Sequence, residues 1–401
     1  MTRSRARVGG FTIIEMLVAT MVMVAVTGAV FTLLNPAQGI NQAQPEVSDL
    51  QQRMRVGVDT LTKDLIMAGA GSYMGSSAGA LYNYFAPIMP YRSGDLNPDA
   101  PNLFYRSDTL SLLYVPPSAA QTGVIQNLGD GNSQELVVKP QLNCGLDKHD
   151  QLCGFTDGTR ALIYDDDGSW DTMTLTNIQD EALHLQHNGK LSSAYDSGRA
   201  VIVEVATHTY YLKTDLNTNT FQLMHYDGAQ TDLPVVDNVV KLNFSYFGDP
   251  QPPMLIPGKS LCDAGVKGPF TTYGPRPPCI GLAPKGTYPT GENCAFTVAG
   301  GVQVPRLPSL AATTGEVELT PAMLTDGPWC PDPTFDNRYD ADLLRIRRVV
   351  VTLRVQAAVA ALRGPAGLLF TRGGTSTSSQ RYVPDQEIKF SVTPRNMTLG
   401  R

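Results

Sequence analysis

The sequence predicts an α+β protein: a long N-terminal helix, half membrane-spanning and half amphipathic, packed on an antiparallel β-sheet head that carries a Cys/Pro/Gly-rich insertion. Three observations predict this. Residues 11–34 contain a single charge, residues 45–69 repeat apolar side chains at spacings of three and four, and from about Leu110 the apolar period falls to two. With 401 residues, 42% of them hydrophobic and 17% charged, the chain is long enough to bury a core, and 37 Gly with 29 Pro imply many turns.

Arg3, Arg5 and Arg7 lead into the apolar run, and no acid lies among the first ten residues. At 1.5 Å per residue, a helix over residues 11–34 is roughly 36 Å long, enough to cross a hydrocarbon layer of about 30 Å. Arginines before the run and none after it until Arg53 place the N-terminus in the cytoplasm and the bulk of the chain outside. The run is longer than the core of a secretory signal peptide and has no AxA-type cleavage site after it.

One acid, Glu15, stands inside this apolar run. A carboxylate in a spanning helix costs about 3 kcal/mol or more unless it has a partner, so its presence calls for a functional reason. A cut between Gly10 and Phe11 would supply one, because Phe11 would then carry an α-ammonium group one helical turn from Glu15. The order of basic leader, Gly10, Phe11, Thr12, two aliphatics, Glu15 and about twenty apolar residues resembles the class III signal of type IV pilins and type II secretion pseudopilins. That resemblance implies cleavage by a prepilin peptidase after Gly10, N-methylation of Phe11, and pairing of Glu15 with the N-terminus of a neighbouring subunit during filament growth. It also implies a pilin-like fold for the helix and head.

Asn35 and Pro36 are expected to close the apolar run. Val47, Leu50, Met54, Val58, Leu61, Leu65 and Ala68 then mark the apolar stripe of a second, amphipathic helix that ends near Gly69 and Gly71, so the stalk is expected to bend. LQQRMRVGVDTLTKDLIMAG, from Leu50 to Gly69, resembles the corresponding helix of PilW-like minor pilins, with Lys63 in place of the usual arginine before Asp64. The charges of this stretch read equally as a cover on its solvent side.

Strands are predicted at 109–115, 134–138, 160–164, 172–176 and 200–204, followed by a meander over 207–248 divided by Asn/Asp/Gly turns. Residues 249–340 hold more than half of the prolines and four of the six cysteines, with little periodicity. They read as a disulfide-pinned loop insertion displayed from the head, on the principle that loops held on a rigid scaffold carry binding. Strand patterns return at 344–362 and 381–396, and the closing Arg395 and Asn396 again resemble PilW-like and pseudopilin chains. The predicted organisation is therefore leader 1–10, spanning helix 11–34, stalk helix 35–72, β-rich head 73–248, insertion 249–340 and C-terminal strands 341–401.

Cys144, Cys153, Cys262, Cys279, Cys294 and Cys330 read as disulfide candidates in an exported head. Cys144 and Cys153 can close a short loop, while the full set permits 15 pairings. A zinc site is disfavoured, because no CxxC pair occurs and no histidine sits at ligand spacing beside a cysteine. The formal net charge of −6 becomes about −9 without the first ten residues, so no nucleic-acid partner is expected. Arg345, Arg347, Arg348 and Arg354 read as one solvated strand face.

Gly75-Ser76-Ser77-Ala78-Gly79 satisfies G-x-S-x-G but lacks the strand-to-helix setting that a nucleophile elbow requires. The acidic run Tyr164 to Asp171 reads as a hairpin turn rather than a Ca²⁺ loop, and His184 with His187 lacks further ligands nearby in sequence. No catalytic residue, metal site or cofactor is expected. The expected function is assembly: a PilW-like minor pilin in the inner membrane, single-pass, with its head in the periplasm. Its implied partners are prepilin peptidase, other minor pilins, major pilin subunits and the inner-membrane assembly platform. A J-type minor pseudopilin of a type II secretion system, or a pilus-tip adhesin module, is the alternative.

Overall fold

The computed structural model describes residues 10–71, 81–92, 104–116, 120–129, 131, 135–141, 144, 149–165, 168–217, 219–259, 262, 269–284, 286–335, 337–377 and 382–397. Residues 1–9 of the predicted leader and the whole Gly75–Gly79 motif lie outside them. The described part is an α+β chain dominated by strands, and it divides into two compact units: residues 1–53 with 355–386, and residues 54–354 with 387–401.

One helix, α1 (Ile13–Met67), replaces the two that the sequence predicts. Pro36 removes one backbone donor yet does not terminate it, with a continuous apolar run before it and the amphipathic stripe after it. Within α1, Ile13–Thr32 has a mean hydropathy of 2.2 and no residue buried against the rest of the chain, so it is long and apolar enough to cross a membrane. The C-terminal part buries the predicted stripe at Leu50, Leu61, Leu65 and Ala68. Gly57 lies on this face because a Cβ there would stand 2.8 Å from Leu353 Cδ2 and 3.4 Å from Val236 Cγ2. Asp64 is buried too, so it does not belong to a solvated charge cover. In the first unit, Glu46 accepts from Arg53 at 2.9 Å and from the Ala358 amide, and Arg53 reaches Gln356 O at 3.3 Å.

The second unit holds a five-stranded sheet in the order β1 (Ile88–Met89), β2 (Thr109–Tyr114), β9 (Ala206–Asp215), β10 (Thr220–Tyr226), β11 (Asp232–Asp237), antiparallel throughout. Adjacent strands β2 and β9 are separated in sequence by about ninety residues, and those residues form a module of their own. Its six strands run β3 (Gln121–Gly123), β8 (Val201–Glu204), β5 (Arg160–Tyr164), β6 (Trp170–Gln179), β7 (His184–Asn188), β4 (Glu135–Val137). The two edge strands meet: Ile125 N donates to Val137 O at 3.0 Å and Lys139 N to Gly123 O at 2.9 Å, and Val124 faces Val138. The sheet thus closes into a small barrel. Val124, Leu136, Val138, Ile163, Leu175, Leu185 and Ile202, all fully buried, fill a core that leaves no open edge. Asp165 and Ser169, which lie between β5 and β6, are joined by Asp165 N to Ser169 O at 3.1 Å, while Asp166 and Asp167 of the predicted turn lie outside the described residues.

A four-stranded sheet follows the order β15 (Val317–Leu319), β12 (Val239–Gly248), β18 (Ile346–Val355), β19 (Gln386–Val392). Two short pairs, β13 (Phe296–Ala299) with β14 (Val302–Pro305) and β16 (Trp329–Cys330) with β17 (Tyr339–Asp340), complete the head. The predicted insertion is therefore not a bare display loop: it forms its own hairpin and lends β15 to the sheet, where Tyr246 faces Leu319. The six cysteines are joined as Cys144–Cys153, Cys262–Cys279 and Cys294–Cys330.

The arginine strip is corrected as well. Arg345 is fully buried, ion-paired with Asp342, and donates to Asp249 O, Pro250 O and Gln251 O at 3.2–3.3 Å and to Pro308 O at 2.6 Å. Arg347 is buried between the rings of Tyr273 and Tyr82, 5.0 and 5.6 Å away. These cations are internal struts that tie the insertion to β18, because a buried guanidinium has donors enough to satisfy several loop carbonyls at once.

Candidate functional site

The N-terminal segment carries the residues that the sequence singles out. Gly10 and Phe11 precede the first helical residue and are exposed, Phe11 at 87%. The bond between them therefore lies in exposed backbone just ahead of the helix. Glu15 sits in the first turn of α1, where the unpaired amides and the helix dipole favour a negative charge.

Glu15 has a local partner that the sequence reading missed. Thr12 N donates to Glu15 Oε2 at 2.8 Å, Thr12 Oγ1 donates to the same oxygen at 2.9 Å, and Glu15 N donates back to Thr12 Oγ1 at 3.3 Å. This reciprocal pair is a capping box with Thr12 as N-cap and Glu15 three residues on. The signal was present in the sequence as T-x-x-E before an apolar run. Oε1 takes part in neither of the two bonds to the carboxylate.

The remaining side-chain polar groups of the span are satisfied inside the helix. Thr20, Thr27 and Thr32 donate to the carbonyls of Leu17, Met23 and Ala29 at 2.9, 2.7 and 2.8 Å. Hydroxyls bonded this way need no water, so among the described residues of Ile13–Thr32 only Glu15 brings a charge into apolar surroundings. The arrangement can do two things chemically: present an exposed peptide bond to a peptidase, and hold a carboxylate at Thr12, the residue next to the position where a new α-amine would appear.

The structure joins Thr12 and Glu15 at the start of α1, with Gly10 and Phe11 just ahead of it, while the cysteines all lie in the head. His184 pairs with Glu135 at 2.7 Å and His187 is buried in the barrel wall; the two do not share a site with other ligands among the described residues. A second polar cluster, also missed, gathers Asp64 of α1 with His208 of β9 and His225 of β10. Only strand register reveals it: His225 faces Tyr210, which places His208 diagonally across on the same face. Comparison with protein-family models, with characterised proteins and with solved structures finds no match to this chain.

Proposed function

We propose that this chain is a structural subunit of a filament in the type IV pilin class, a PilW-like minor pilin anchored in the inner membrane by α1 with its head in the periplasm. Its work is assembly, not catalysis. Prepilin peptidase cuts between Gly10 and Phe11 and methylates Phe11. The apolar span then passes from lipid into a bundle of major and other minor pilins at the assembly platform, without changing the polarity of its surroundings.

One observation carries the reading: the only charge of an otherwise apolar 20-residue span lies beside an exposed Gly–Phe bond, on a carboxylate whose partners are both on Thr12. Cleavage leaves Thr12 in place, so the capping box persists, and the charge of Glu15 stays available to an ammonium group at the filament axis. Disulfides throughout the head fit an oxidising compartment. A J-type pseudopilin of a secretion system uses the same chemistry, and genetic neighbours of pilus or secretion type separate the two. The test of the class is incorporation of Glu15→Gln into sheared filaments: loss supports it, and wild-type incorporation contradicts it.

A further inference from the structure

Independently of the assembly reading, we propose that Asp64, His208 and His225 form a binding site for a divalent transition ion of the Zn²⁺ type, which joins helix α1 to two neighbouring strands of the head. The three donor atoms converge. Asp64 Oδ2 lies 3.2 Å from His208 Nδ1, His208 Nδ1 lies 2.6 Å from His225 Nε2, and all three ligand atoms fall within 4.8 Å of one another. Two atoms bound tetrahedrally to zinc at 2.0–2.1 Å stand about 3.3 Å apart. The Asp64–His208 pair already has that spacing. The His–His pair is held closer by an N–H···N hydrogen bond and opens by less than about 1 Å when the half-buried His225 ring turns.

The surroundings are those of a ligating set. Metal-bound histidines are oriented by a hydrogen bond at the other ring nitrogen, and Tyr114 Oη stands 3.1 Å from His208 Nε2. Asp64 is fixed by Tyr210 Oη at 2.5 Å and Tyr114 Oη at 3.4 Å. Tyr114 and His208 are also parallel, with ring centres 5.3 Å apart. The carboxylates of Asp227 and Asp232 add negative potential at His225, and at His208 the charge of Asp227 exceeds the opposing charge of Lys63. The His208 side chain is 22% exposed, so the site is open to an ion from solvent, and two nitrogens with one carboxylate leave a fourth position for water.

The experiment uses the full chain in detergent, without a polyhistidine tag, stripped with EDTA and dialysed against Zn²⁺. One Zn²⁺ per chain is expected, together with a rise in the unfolding temperature that EDTA reverses. Binding is lost in His225→Asn, weakened about tenfold in Tyr114→Phe, and kept in His149→Asn/His184→Asn, whose histidines pair with Glu181 and Glu135. In the wild type, which avoids any folding defect of a variant, Zn²⁺ should protect His208 and His225 from diethyl pyrocarbonate while His149 stays reactive. Absence of bound Zn²⁺, or binding that disappears with His149 and His184 instead, overturns the proposal.

Discussion

Glu15 makes two demands on the chain that single substitutions separate. Glutamine can occupy the third position of a capping box as glutamate does, so Glu15→Gln keeps the bonds to Thr12 and removes only the charge. Thr12→Ala does the reverse, costing the helix start about 1 kcal/mol while the carboxylate remains. The assembly reading predicts that Thr12→Ala enters filaments and Glu15→Gln does not, as judged by immunoblots of sheared filaments. Equal behaviour of the two variants would reduce Glu15 to a helix cap. Asp340 accepts from Gly327 N at 2.7 Å and Asp342 N at 2.8 Å. Burial pushes its carboxyl up to about 7. An acid raised on folding from about 3.9 gives its full stabilising contribution below pH 4 and loses it as pH climbs through 7. The stability advantage of the wild type over Asp340→Asn should therefore shrink between pH 4 and 7, by at most about 1.4 kcal/mol per pH unit. Urea midpoints of the two proteins across that range check it; parallel profiles would contradict it.

Elements were legible where inward positions are apolar. The stripe of α1 and strand β5 follow the expected pattern, the strand within the predicted residues. Where inward positions are polar the pattern misled: β7, which turns His187 inward beside Leu185, is not among the predicted strands, and in β18, which falls within the predicted 344–362, Arg347 is buried rather than solvated. Barrel closure was not legible either, because it rests on pairings between residues such as Gly123 and Lys139 whose approach depends on all the strands between them. In the candidate site, Gly10, Phe11 and Glu15 stood out by chemistry and local spacing, whereas Asp64, His208 and His225 meet only through the fold. Arg345 tests the strut reading. Replacing it with alanine leaves Asp342 buried without its cation and strands loop carbonyls, and should destabilise the head by about 3–5 kcal/mol. A denaturation midpoint within error of wild type would contradict it. The disulfides should differ in worth by loop length: opening Cys294–Cys330, separated by 36, should cost about 4 kcal/mol, and opening Cys144–Cys153, separated by 9, about 3 kcal/mol. Thermal unfolding of paired serine variants measures the order.

At the scale of the whole molecule, the head is a sheet interrupted by a closed barrel and extended by a segment woven into its last sheet. An adhesive role for residues 249–340 therefore cannot be tested by deleting them, since that removes β15 and the carbonyls that satisfy Arg345. Point changes at exposed Ile280 and Leu282 leave that framework intact. The apolar span Ile13–Thr32 has no residue buried against the rest of the described chain, and the bond that the proposed processing would cut, Gly10–Phe11, lies just ahead of it. Cleavage at Gly10–Phe11 is decided by mass spectrometry of the N-terminal peptide from membrane-extracted protein. The mature chain should begin at N-methylated Phe11; an intact Met1 would refute the proposed processing.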